Sequence, residues 1–85
     1  MSDQARELTL YSTPACHLCE TAHAVIAPFL DNLKISLQEV DISDSDELME
    51  KYGIRIPVLR FSDNEQELGW PFSEEEFLAF AADQV

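Results

Sequence analysis

The chain has 85 residues, 17 of them Asp or Glu against five Lys and Arg, for a formal charge of −12 at pH 7. That length allows one domain and no second core, and a hydrophobic content of 46% suits a folded globule rather than a disordered segment. The acid excess repels polyanionic backbones and anionic lipid, so nucleic acid and membranes are not expected as partners.

Residues 1–6 are polar and expected to fray. Leu8, Leu10 and Tyr11 mark a first strand over residues 7–11. Ser12-Thr13-Pro14-Ala15 reads as a loop, because Pro14 disfavours a helix that starts before it. From Cys16 the spacing turns helical: Cys19, Ala22, Val25, Ile26, Phe29, Leu30 and Leu33 share one face. Pro28 must kink or divide that run, since it lacks a backbone donor.

Residues 34–42 read as a second strand. Ile35 and Leu37 alternate, and Val40 and Ile42 follow in the opposite phase. A bulge, or burial of both faces, accounts for the shift. Ser43 or Asp44 caps a short helix through Tyr52, with Gly53 as its stop. Residues 54–61 read as a third strand entered through Pro57. Ser62-Asp63-Asn64 is a turn, and residues 65–68 complete a hairpin. Ser73 and Glu76 form a capping box that opens a last helix, with Phe77, Leu78, Phe80 and Ala81 facing inward. Trp70, Phe72 and Phe77 read most simply as core. The fold class is α/β, in the order β-α-β-α-β-β-α: a four-stranded mixed sheet flanked by helices.

The only two cysteines lie three positions apart, as Cys16-His17-Leu18-Cys19, between a strand and a helix. That context favours redox chemistry. Unpaired N–H groups and the helix dipole at a helix N-terminus favour thiolate over thiol, and only the thiolate attacks a disulfide. Cys16, at the tip, reads as the exposed nucleophile. Cys19, one turn further in, reads as the resolving thiol; a monothiol route would leave it idle. Protonated His17 adds to the pull on Cys16, while Glu20 opposes it. His23 reads as a partly buried packing residue.

The strand order, the C-x-x-C after the first strand and Ile56-Pro57 at the third resemble the thioredoxin fold. Tyr11-Ser12-Thr13-Pro14-Ala15-Cys16-His17-Leu18-Cys19 is similar to the active-site segment of glutaredoxins and small glutaredoxin-like bacterial proteins. The likeness runs from Leu8 to the C-terminus. It implies a cis bond before Pro57, with the N–H and C=O of Ile56 turned to the cysteines to pair with an extended substrate. Thr13 stands where glutaredoxins commonly carry a glutathione-binding lysine. Leu68-Gly69-Trp70-Pro71 replaces their Gly-Gly-x-Asp segment, so two of three glutathione contacts are missing. Arg55 is one of few cations nearby, suited to a substrate carboxylate or to a surface salt bridge.

The resulting expectation is a cytoplasmic, monomeric thiol–disulfide oxidoreductase with no bound cofactor or metal. Its partners are disulfide-bearing proteins or glutathione, the latter also a candidate co-substrate, with glutathione or a reductase as electron source. The alternatives are a metal or iron–sulfur module using Cys16, Cys19 and His23, and a non-catalytic adaptor that keeps the fold. Zinc would need a fourth ligand, for which only His17 or an acid is at hand.

Overall fold

Strand β1 (Arg6–Ser12) alternates as a half-buried strand should: Leu8, Leu10 and Ser12 are buried and Glu7 is exposed. The computed structural model describes residues 6–63 and 65–82, so the expected fraying of residues 1–5 lies outside the described residues. Arg6 itself is not frayed. Its guanidinium lies 3.7 Å from the centre of the Phe61 ring, pairs with Asp63 at 2.9 Å and donates to the Ala81 carbonyl at 2.8 Å.

Helix α1 (His17–Ile26) follows, then a 3-10 turn (Ala27–Phe29) that Pro28 opens. Pro28 therefore divides the expected helix, ending its α-helical part at Ile26. Cys19, Ala22 and Ile26 are buried, while Val25, Phe29 and Leu30 pack partly against the core. Leu33, expected on the same face, is exposed because the helical period has already ended.

Strand β2 (Ile35–Asp41) pairs with β1 in parallel, from Arg6 opposite Ile35 to Ser12 opposite Asp41, without a break in register. The shift of phase is thus no bulge. Ile35 and Leu37 join the larger core cluster, whereas Ile42, in a 3-10 turn (Ile42–Asp44), joins a smaller one. Helix α2 (Asp46–Tyr52) is capped by Ser45, whose Oγ accepts the Leu48 N–H at 3.2 Å. Ser43 and Asp44 do not cap it; they belong to the preceding 3-10 turn.

Strand β3 (Val58–Phe61) starts four residues later than the sequence pattern suggests. The N–H groups of Arg55 and Ile56 both donate to the Tyr52 carbonyl, at 2.7 and 3.1 Å. Those residues therefore finish α2 rather than begin β3, and Ile54 is fully exposed. Strand β4 (Glu67–Gly69) follows a turn in which Glu65 has φ 60°; Asn64 lies outside the described residues. Helix α3 (Glu74–Ala82) opens on the expected reciprocal cap. Glu76 Oε1 accepts the Ser73 N–H at 2.8 Å, and Ser73 Oγ accepts the Glu76 N–H at 3.1 Å. Phe77, Phe80 and Ala81 face inward, but Leu78 is on the outer side.

The sheet order is β2-β1-β3-β4, with β1–β2 parallel and β1–β3 and β3–β4 antiparallel. Successive side chains of a strand point to opposite faces. Leu10 belongs to the cluster that holds α1 and α3, and Tyr11 to the cluster that holds α2, so helices cover both faces. Phe72 is buried in the larger cluster, and Trp70, half-buried, meets it edge-on with ring centres 5.0 Å apart. This is an α/β, thioredoxin-like architecture.

Tyr52 ties the α2 face to the hairpin. It stacks on Tyr11 at 4.3 Å and donates from its hydroxyl to Glu67 Oε2 at 2.6 Å. Burial first, and then the Glu67 carboxylate it bonds, hold the Tyr52 phenol protonated well above the usual tyrosine range. Burial alone would push Glu67 up, but the Tyr52 hydroxyl and the Arg55 guanidinium together hold its carboxyl below the usual range.

Candidate functional site

The chain arrives at the carboxyl end of β1 and must turn to start α1. Thr13 accepts the Cys16 N–H at 3.2 Å, which closes that turn. Cys16 then adopts an extended conformation, φ −95° and ψ 104°, as helix caps do. Its sulfur takes the role a serine oxygen usually has, accepting the Cys19 N–H at 3.0 Å. One donor of the helix start is therefore aimed at the sulfur of Cys16, together with the positive end of the helix dipole.

Cys16 is half-buried and Cys19 is 2% exposed, with their Cα atoms 5.3 Å apart and their sulfurs joined in a disulfide. Cys19 is the inner sulfur, as helical phase implies, while Cys16, expected exposed, is the outer of the two but half-buried. His17 and Leu18, between them, are exposed. His23 is exposed as well, against the expectation of partial burial.

Beside the disulfide lies a cleft of about 340 Å³. The loop Ser12-Thr13-Pro14 forms one wall, Glu20 of α1 another, and Glu39 and Asp41 of β2 a third. A second cleft of about 210 Å³ shares Cys19, Glu20 and Glu39 with it and adds His23. Ser12, the buried polar residue of β1, donates its hydroxyl to Glu39 Oε2 at 3.0 Å and fixes that carboxylate. Asp41 accepts from the Ser43 hydroxyl at 2.6 Å and from the Ser43 N–H at 2.9 Å. Those two bonds, the hydroxyl first, hold the Asp41 carboxyl below the usual range.

Thr13 lines this cleft; Arg55, Ile56 and Pro57 do not. The peptide bond between Ile56 and Pro57 is cis, as is that between Trp70 and Pro71, which the sequence reading did not foresee. Pro57 is buried and immediately precedes Val58, which pairs with Tyr11. That register puts Pro57 at the same end of the sheet as Cys16, on the β3 side, with the acidic cleft on the β2 side. The expected free N–H of Ile56 is a correction: it is already donated to Tyr52. The Ile56 carbonyl receives no hydrogen bond from the described residues. Arg55 makes a salt bridge to Glu67 at 2.9 Å, with its guanidinium 5.3 Å from the centre of the Tyr52 ring.

Ser12, Glu39 and Asp41 were not singled out from the sequence. Glu39 and Asp41 alternate on one strand, and in a parallel sheet ligands gather at the carboxyl ends of strands; that rule was the available signal. Among the described residues no group of three or more His, Cys, Asp or Glu side chains converges as metal ligands do, so Cys16, Cys19 and His23 form no such set. Also among the described residues, no helix is long and apolar enough to cross a membrane.

A thioredoxin-type sheet with a C-x-x-C capping its first helix defines a protein of redox type. Residues 7–80 match the model of the glutaredoxin-like domain, and the chain belongs to that family. An X-ray structure of target protein XcR50 from X. campestris is 35% identical, with a TM-score of 0.79 over 92% of this chain and 99% of that one. The solution structure of protein Ne2328 from Nitrosomonas europaea is 26% identical, with a TM-score of 0.77 over 91% and 92% of the two chains. The germline-specific thioredoxin Deadhead of Drosophila is 19% identical and shares the fold, with a TM-score of 0.65 over 98% of this chain and 84% of that one. No curated protein matches the chain.

Proposed function

We propose that the chain is a thiol–disulfide oxidoreductase that works through Cys16 and Cys19 on disulfide-bearing proteins in a reducing compartment such as the cytoplasm. The observation that carries this reading is the Cys19 N–H aimed at the Cys16 sulfur at 3.0 Å, on a half-buried residue at a helix start. A hydrogen bond to the charged form of a group favours that form. In the reduced protein the same donor favours the Cys16 thiolate, which is the species that attacks.

The exchange runs in two displacements. The Cys16 thiolate attacks one sulfur of the substrate disulfide, whose S–S bond breaks, and the leaving thiolate takes up a proton. Cys19 then gives up its proton and attacks Cys16 sulfur, releasing the second substrate thiol. Two electrons pass to the substrate, and the protein is left with its Cys16–Cys19 disulfide. Burial of Cys19 shields it from outside disulfides, so the order of attack is fixed by access. Glutathione or a reductase restores the dithiol. The chain does this as a monomer, with no bound cofactor.

Cys19→Ser tests the scheme. Incubated reduced with a model disulfide and analysed by intact mass, it should accumulate one adduct on Cys16 that persists until an external thiol is added. Wild-type protein under the same conditions should yield the internal disulfide instead. A Cys19→Ser protein that stays unmodified would remove Cys16 as the nucleophile.

A further inference from the structure

The cleft next to the disulfide is negative on two sides and positive on none. Glu20 stands on α1, and Glu39 and Asp41 on β2, while none of its lining residues is Lys or Arg. The arginines of the described residues are engaged elsewhere: Arg6 with Asp63, and Arg55 and Arg60 with Glu67. Glu39 is anchored by Ser12 and Asp41 by Ser43, so these carboxylates are held in place rather than free to swing away. The histidines of the site, His17 and His23, are exposed on α1.

Building on the proposed exchange at Cys16, we infer that this cleft selects disulfides flanked by positive charge. The fitting substrate is a protein or peptide disulfide with Lys or Arg side chains next to the reacting cysteine. Anionic disulfides, glutathione disulfide among them, are disfavoured. Glu20, Glu39 and Asp41 are the specificity-determining residues, and the chain's net charge of −12 extends the same preference outward. The physical ground is Coulombic. A unit pair a few ångströms apart in water is worth about one factor of five in an equilibrium or rate, and several fixed carboxylates act together. Such charge also raises the local concentration of a cationic partner before any contact is made. The chemical step is unchanged: one substrate S–S bond breaks, two substrate thiols leave, and the Cys16–Cys19 bond forms.

The test uses the reduced full chain and three small symmetrical disulfides: cystamine with two ammonium groups, neutral 2-hydroxyethyl disulfide, and anionic glutathione disulfide. Each second-order rate constant is divided by that of the same disulfide with dithiothreitol, an uncharged dithiol, to remove intrinsic reactivity. At low ionic strength the normalised cystamine rate should exceed the glutathione disulfide rate about tenfold or more, with the neutral compound between them. Near 1 M salt, where screening acts over about 3 Å, that ratio should shrink towards unity. Glu39→Gln, which keeps an acceptor for Ser12, and Glu20→Gln should each lower the ratio at low salt.

A normalised ratio within about twofold of unity, or one indifferent to salt, overturns the inference while leaving the exchange reading intact. A chain inert to all three disulfides, the neutral one included, overturns both. The salt series is measured on the unaltered protein, so a variant that fails to fold does not remove the test.

Discussion

Replacing Cys16 with serine is expected to bring disulfide reduction down to the uncatalysed background. A serine hydroxyl does not ionise at neutral pH and forms no disulfide, so the first displacement has no nucleophile. Cys19 does not rescue it, because that sulfur is 2% exposed beneath the helix start and an outside disulfide does not reach it. The helix should survive the change. Serine is among the preferred N-cap residues, and its oxygen can accept the Cys19 N–H that the sulfur of Cys16 accepts now. Loss of activity with a thermal stability equal to that of the reduced wild-type protein is thus the expected pair of results, read by a disulfide-reduction assay and by a melting curve. Full retention of disulfide reduction in this variant would remove Cys16 as the nucleophile.

The largest expected effect on stability comes from Phe77→Ala. Phe77 is fully buried where α3 meets the sheet, within the cluster that includes Leu8, Leu10, Ile26 and Phe61, and its ring sits 6.4 Å from that of Phe29. Truncating a buried Phe to Ala costs about 3–5 kcal/mol, from lost burial and the cavity left behind. Domains of this size have roughly 0.05–0.15 kcal/mol of stability per residue, which for 85 residues is about 4–13 kcal/mol. The variant should therefore lose about a quarter of its stability or more, with a clear drop in the urea midpoint and little change in slope. A shift below about 1 kcal/mol would mean that α3 is not docked through this ring.

Local rules carried much of this structure. The reciprocal cap of Ser73 and Glu76 was legible because both residues act within one helical turn. The division of the first helix at Pro28 was legible because a missing donor is a property of one residue. Cys16 as outer sulfur and Cys19 as inner sulfur followed from helical phase. Errors arose where a pattern was carried past the element that bears it. Leu33 and Leu78 fit the helical period and yet lie outside. Ile54, Arg55 and Ile56 look like strand, but the last carbonyl of α2 captures two of their N–H groups.

The acidic cleft was the least legible part, for a physical reason. Ser12 and Glu39 are 27 positions apart and meet only because β1 and β2 pair in parallel with Ser12 opposite Asp41. Register of that kind depends on which faces are buried, which here differs between the two ends of β2. The Ile56 N–H shows the converse case. The family likeness pointed to it as a substrate contact, and the local hydrogen bond to Tyr52 removes it from that role.

The measurement that bears most directly on the redox reading is the equilibrium of the Cys16–Cys19 pair across a glutathione redox series. Free thiols are trapped with an alkylating agent and the intact products weighed. The expected result is a two-electron transition between a doubly alkylated dithiol and an unalkylated internal disulfide, with a potential within roughly −180 to −280 mV, the range of enzymes of this type. A pair of thiols alkylated in full over the whole series would contradict the account.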